Sequence, residues 1–343
     1  MARPRWKSVL IPAVKLVLGA LVLIAVGRHV VRTWHDLHTQ GRALRIEVVG
    51  IVLGVALYVA GLGAFGTYFG RIVKAGPTPV SSAAALRAYI ISHLGKYVPG
   101  KAMVVVLRVG LLAPWGARPA TTAFAALYET LTMMAAGGLV AAAGFLVESV
   151  GAIPIPIPFG GGESVAVPLP WLGLGLGLAF LTVVEPRVFP RLAAMARLPF
   201  PGIGSEALPR FSTRLLAEGL LWSLAGWVLW GLSQVAVLRA LDPAGLPLRA
   251  WPLAIASVAL ATVAGFVVPI APGGLGVREW VLWTGLASVS AIDHDEAVVA
   301  SLALRLTWVL GELLAAAALS VLPPSEPKTW LVYPSPSPRA TEV

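Results

Sequence analysis

The chain has 343 residues, 57% of them hydrophobic and only 12% charged, with a mean hydropathy of +0.83. A soluble domain carries about 25% charged residues, so this composition excludes an ordinary soluble protein and indicates a multispanning integral membrane protein. Its apolar runs are about twenty residues long and unbroken, the signature of spanning helices rather than of barrel strands.

Cysteine is absent, which excludes disulfides, haem thiolates and cysteine catalysis. The formal charge of +10 sits mostly in short loops and helix ends, where anionic lipid headgroups, not nucleic acid, are the nearer counter-charge. The five histidines are scattered, and His93 has no second ligand nearby in sequence, so no metal or cofactor site is expected.

Arg3, Arg5 and Lys7 precede an apolar run from Val9 to Gly27, read as an uncleaved first span because no small-residue cleavage signal follows. A second span covers Ile46 to Phe69, where Gly54, Gly61, Gly63 and Gly66 allow a neighbouring helix to approach closely. From Val80 to Tyr97 the pattern predicts a moderately polar helix, interrupted at Gly95 and ended near Pro99. Ala102 to Leu112 is apolar but too short to span. The two arms around Pro99 and Gly100 therefore read as a re-entrant hairpin or one broken span.

Pro119 to Val147 forms a long span carrying Glu129. The proline- and glycine-rich stretch after it favours extended backbone and excludes a regular helix, as an exposed loop or a lid. A fourth span, begun near Val165, ends at Val184. Residues 185 to 214 are basic and interfacial. Leu215 to Leu238 is a fifth span, whose Trp222, Trp227 and Trp230 fit an interfacial belt or lipid-facing packing. Trp251 to Val268 leads into the break PIAPGGLGVREW, Val281 to Ala291 follows, and the last span runs from Ala297 to Val321.

The expectation is an all-α polytopic transmembrane bundle of six full spans plus two broken or re-entrant hairpins, equivalently eight spans. A single membrane domain covers 1–322, with possible halves at 46–147 and 215–321 and a Pro/Ser-rich disordered tail at 323–343. The basic amino terminus and the 185 to 214 loop place the amino terminus in the cytoplasm, against one contrary vote from the basic 28 to 45 loop. The expected location is the cell membrane.

Both halves show a short arm, a Pro-Gly break, a second short arm and a long span holding a charge. Pro99 precedes Glu129 by 30 residues and Pro272 precedes Arg305 by 33. With the charge-based topology the halves become an inverted repeat, an architecture used for alternating access.

Pro272, Gly273, Gly274 and Gly276 prevent an undisturbed helix, and free peptide groups in hydrocarbon cost several kcal/mol each. That break must be buried in protein or line a wet cavity, either as a seat for a phosphate or carboxylate or as an architectural kink. Arg278 and Glu279 are adjacent, so one can pair across the bundle while the other faces a cavity. Each intramembrane charge costs about 2.5–3.5 kcal/mol and demands partners. Arg305 and Glu312 share a stripe of the last span with Trp308. Arg278 and Arg305 are the candidate partners of Glu129, in a structural bridge or a relay. Lys96, Tyr97 and Lys101 decorate the first break, and Arg108 is expected to point toward a headgroup region or pocket.

KYVPGK with Arg108 downstream, Glu129 in the next long helix, and PGGLGVRE followed by Arg305 resemble the lysylphosphatidylglycerol synthase transmembrane-region family, over roughly residues 10 to 322. The resemblance implies a flippase-like domain that moves a charged lipid or lipid-linked envelope precursor between leaflets. It implies a substrate path lined by Lys96, Tyr97, Pro99, Gly100, Lys101, Arg108, Glu129, Pro272, Gly273, Gly274, Gly276, Arg278, Glu279, Arg305 and Glu312. The chain lacks the cytosolic synthase domain of the fused relatives, which removes the expectation of synthase activity. The alternatives are an intramembrane transferase acting on a lipid-linked substrate and a non-transporting partner of an envelope-synthesis enzyme.

Overall fold

A computed structural model describes residues 47–77, 80–97, 102–147, 152–156, 164–197, 208–242, 246–268, 276–287, 292 and 294–321. The expected first span, the tail and both Pro-Gly breaks, including Pro99, Gly100, Lys101, Pro272, Gly273 and Gly274, lie outside the described residues. In chain order the elements are α1 (Val48–Lys74), α2 (Ser82–His93) with a 3₁₀ turn (Leu94–Tyr97), α3 (Ala102–Leu112), α4 (Pro119–Val147), β1 (Ala152–Pro156), β2 (Ser164–Pro168), α5 (Leu169–Val184), α6 (Phe189–Arg197), α7 (Thr213–Leu241), α8 (Trp251–Val267), α9 (Val277–Ala287) and α10 (His294–Val321).

Five described helices are long and apolar enough to cross a membrane: α1, α4, α7, α10, and α8 together with the turn before it, Leu248–Val267. This identifies a helical protein of multi-pass membrane type. Serine caps mark two helix starts, with Ser81 accepting from Ala84 N and Ser212 from Leu215 N, as the unpaired first-turn donors of a helix require.

The fourth span departs from expectation. Val165 lies in β2, which pairs antiparallel with β1, and the helix starts only at Leu169. It then bends by 71° into α6. Pro186 explains the bend, because it drives the residue before it out of helical backbone; Glu185 sits at φ −54, ψ 131. The Glu185 carboxylate then turns back to accept from Arg187 N and Val188 N, at 2.7 and 3.0 Å. Tyr128 donates to Val184 O at 3.0 Å, so the end of α5 is tied to α4.

Packing depends on close helix crossings. Gly138 of α4 meets Gly173 and Gly177 of α5 backbone to backbone; a Cβ at Gly138 would lie 2.4 Å from Gly177 N. Small residues four apart are the means by which membrane helices approach this closely. Of the four α1 glycines singled out in the sequence, Gly54, Gly61 and Gly66 face neighbouring side chains, whereas Gly63 has open space. Gly138→Ala is expected to lower stability by about 1–3 kcal/mol through overpacking. Gly175→Ala, where a Cβ meets nothing within 4 Å, is the control. Thermal unfolding in detergent compares the two, and equal midpoints would contradict the crossing.

The tryptophans of α7 are divided between two roles. Trp222 is exposed, but Trp227 and Trp230 are 0% and 2% exposed, so these two are core residues rather than belt or lipid-facing ones. Trp227 Nε1 donates to Met133 O at 2.9 Å and Trp230 Nε1 to Tyr58 O at 3.2 Å. Their rings join Phe65, Tyr58 and Trp308 in one aromatic cluster where α1, α7 and α10 meet. The buried N–H groups thus have acceptors, as such burial demands.

Candidate functional site

Three buried charge clusters follow one another through the bundle. The first joins the short arm α3 to the long helix α4: Arg108 Nη1 meets Glu129 Oε2 at 2.9 Å, and both residues are almost wholly buried. Arg108 Nε also donates to Ser92 Oγ at 3.1 Å. The guanidinium lies over the Tyr89 and Phe69 rings, 4.2 and 4.8 Å from their centroids. Tyr89 in turn donates to Glu129 Oε1 at 3.2 Å. Glu129 therefore pairs within its own half with Arg108, not with Arg278 or Arg305 as the sequence suggested. Arg108 points inward to this partner.

The second cluster joins the short arm α9 to the long helix α10. Glu279 Oε1 accepts from Arg305 Nη1, and its other oxygen accepts from Gly276 N at 2.7 Å. Glu279 is the third residue of α9 and reaches back to the residue before the helix, one arm of a capping box. Gly276 has φ 86, a conformation that a residue with a Cβ adopts only under strain. One glutamate thus fixes the start of α9 and neutralises Arg305.

The third cluster lies between the halves. Glu312 of α10 is completely buried, and its Oε1 accepts from Tyr58 Oη of α1 and from Lys96 Nζ of the 3₁₀ turn, the latter at 2.5 Å. His93 Nε2 stands 3.9 Å from the same oxygen. Glu312 Oε2 and His93 Nε2 are buried and have no hydrogen-bond partner among the described residues. Tyr97, the more exposed residue of this turn, has Lys96 Nζ 5.2 Å from its ring centroid.

Trp308 connects the second and third clusters. It stacks on Tyr58 at 4.4 Å between centroids and donates to Ser233 Oγ at 3.1 Å. Over its ring, 4.4 Å from the centroid, sits the guanidinium of Arg278. Arg278 differs from the other cations of these clusters: among the described residues it has no ion pair and donates no side-chain hydrogen bond.

The structure thus gathers Lys96, Arg278, Glu279, Arg305 and Glu312 around Trp308 and Tyr58, and keeps Arg108 with Glu129 as a separate pair. Tyr58, Tyr89 and Ser92 were not singled out in the sequence, since a hydroxyl in an apolar helix reads as packing. The available signal was that each lies in a predicted membrane helix, where a hydroxyl needs a partner. No protein-family model matches this chain, and no curated protein is significantly similar to it.

Proposed function

We propose that this protein translocates a charged phospholipid or lipid-linked envelope precursor between the leaflets of the cell membrane. The observation that carries the reading is the partly buried guanidinium of Arg278, held on Trp308 in a membrane-type bundle and, among the described residues, without an ion-pair partner. A charge kept at such cost within apolar helices marks a ligand or ion path more often than a structural need. Lys96 and Glu312 beside it provide polar groups that can exchange partners as a headgroup passes.

An inverted repeat fits the arrangement. Each half has an 11-residue short arm, α3 or α9, ion-paired to the long helix that follows it. The pairs have reversed polarity, arginine on the arm in one and glutamate in the other. Paired broken helices of this kind suit rocking of one half against the other around a central site. Loop charge orients the amino terminus toward the cytoplasm.

Liposomes containing the purified full-length chain and fluorescent phospholipids in one leaflet provide the test. Leaflet exchange faster than in protein-free liposomes is expected for at least one charged lipid. Unchanged exchange across a panel of anionic, zwitterionic and polyprenyl-phosphate lipids would rule the reading out.

A further inference from the structure

The clusters around the site do not balance in charge. Among the described residues they contain four cations, Lys96, Arg108, Arg278 and Arg305, against three anions, Glu129, Glu279 and Glu312. Each of these acids has its own cation in contact, so among the described arginine, lysine and glutamate side chains of the clusters one positive charge is left over, on Arg278.

A contact with the Trp308 ring stabilises that cation but uses none of its five N–H donors. The donors form a rigid fork whose geometry matches two oxygens of a phosphate. We infer that the site takes a singly charged phosphodiester, its phosphate oxygens on the guanidinium of Arg278; the inference rests on the reading of this site as a lipid path.

The charge arithmetic sets the selectivity. One negative charge brings the clusters to neutrality, which low-dielectric surroundings favour strongly. A zwitterionic headgroup brings its own cation and leaves the surplus in place. A phosphomonoester, at about −1.5 to −2 near neutral pH, overshoots. A headgroup with an added amino-acid cation is disfavoured more strongly still, because it places further positive charge beside the unpaired charge of Arg278. The phosphodiester belongs either to a membrane lipid or to a soluble molecule, since the fork reads the phosphate and not what it carries.

Nanodiscs of phosphatidylcholine containing the full chain, titrated with fluorescent phosphatidylglycerol, phosphatidylethanolamine or phosphatidate, test this on the unaltered protein. Phosphatidylglycerol is expected to bind at least about tenfold more tightly than phosphatidylethanolamine, and Arg278→Gln to remove about that factor. Soluble glycerophosphoglycerol identifies the source: displacement of the lipid probe assigns recognition to the phosphodiester alone, and failure to displace assigns it to the lipid. Equal affinity for the zwitterionic probe would overturn the inference. So would unchanged binding by a folded Arg278→Gln protein, folding being judged by its thermal midpoint. Leaflet exchange in the same preparation separates the two readings. Arg278-dependent binding without exchange retains the anion site and removes transport, whereas exchange indifferent to headgroup charge and to Arg278 retains transport and removes the anion site.

Discussion

Arg108→Ala is expected to destabilise the protein by about 3–5 kcal/mol, because it leaves a buried carboxylate without its cation. Glu129 is 1% exposed, and besides Arg108 its hydrogen-bond partners among the described residues are two hydroxyls, Tyr89 at 3.2 Å and Thr130 at 3.3 Å. These cannot replace a full positive charge at 2.9 Å. The guanidinium also fills the space over Tyr89 and Phe69, so a void adds to the electrostatic loss. Adding Glu129→Gln to Arg108→Ala removes the stranded charge while preserving shape, and recovery of about 2 kcal/mol or more is expected. Thermal unfolding in detergent reads both effects. If the double variant is no more stable than Arg108→Ala, the loss comes from packing and the ion pair is not its cause.

The second large effect is expected at Glu312. Glu312→Ala leaves Lys96 and Tyr58 without their common acceptor. Lys96 is 22% exposed, so solvent reaches the freed ammonium, and the expected loss is about 2 kcal/mol, between that of an exposed pair and that of a fully buried one. The informative quantity is the coupling. In a double-mutant cycle with Lys96→Ala, the two losses should fall short of additivity by about 1 kcal/mol or more. Additive losses would show that Lys96 and Glu312 do not act as a pair.

Helix positions were the most legible part of the sequence. Apolar runs bounded by Pro and Gly gave α3 at Ala102–Leu112 and α4 at Pro119–Val147 without adjustment. Extended proline-rich backbone after α4 was also legible, and part of it forms the two strands. The start of α5 was misplaced because Val165, Ala166 and Val167 are as apolar as the helix they precede, and hydropathy does not distinguish strand from helix over so short a run.

Within the site, residue types were legible and partners were not. Arg108, Glu129, Glu279, Arg305 and Glu312 stood out because charge is costly in an apolar chain. Which acid meets which base depends on how the short arms fold against the long helices, and spacings of 21 residues for Arg108 with Glu129 and 26 for Glu279 with Arg305 carry no periodic signal. Trp227 and Trp230 were misread for a related reason: a tryptophan near a membrane surface and one in a core have the same local sequence. Only the acceptors, Met133 O and Tyr58 O, distinguish them.

The placement of the ion pairs has a mechanical consequence. Arg108 with Glu129 and Arg305 with Glu279 each lie inside one half of the chain. Glu312 instead joins the halves, held by Tyr58 and Lys96 with His93 beside it. Under the proposed rocking, one half moving past the other leaves the internal pairs untouched and parts Tyr58 and Lys96 from Glu312, which gives this carboxylate the position of a clutch.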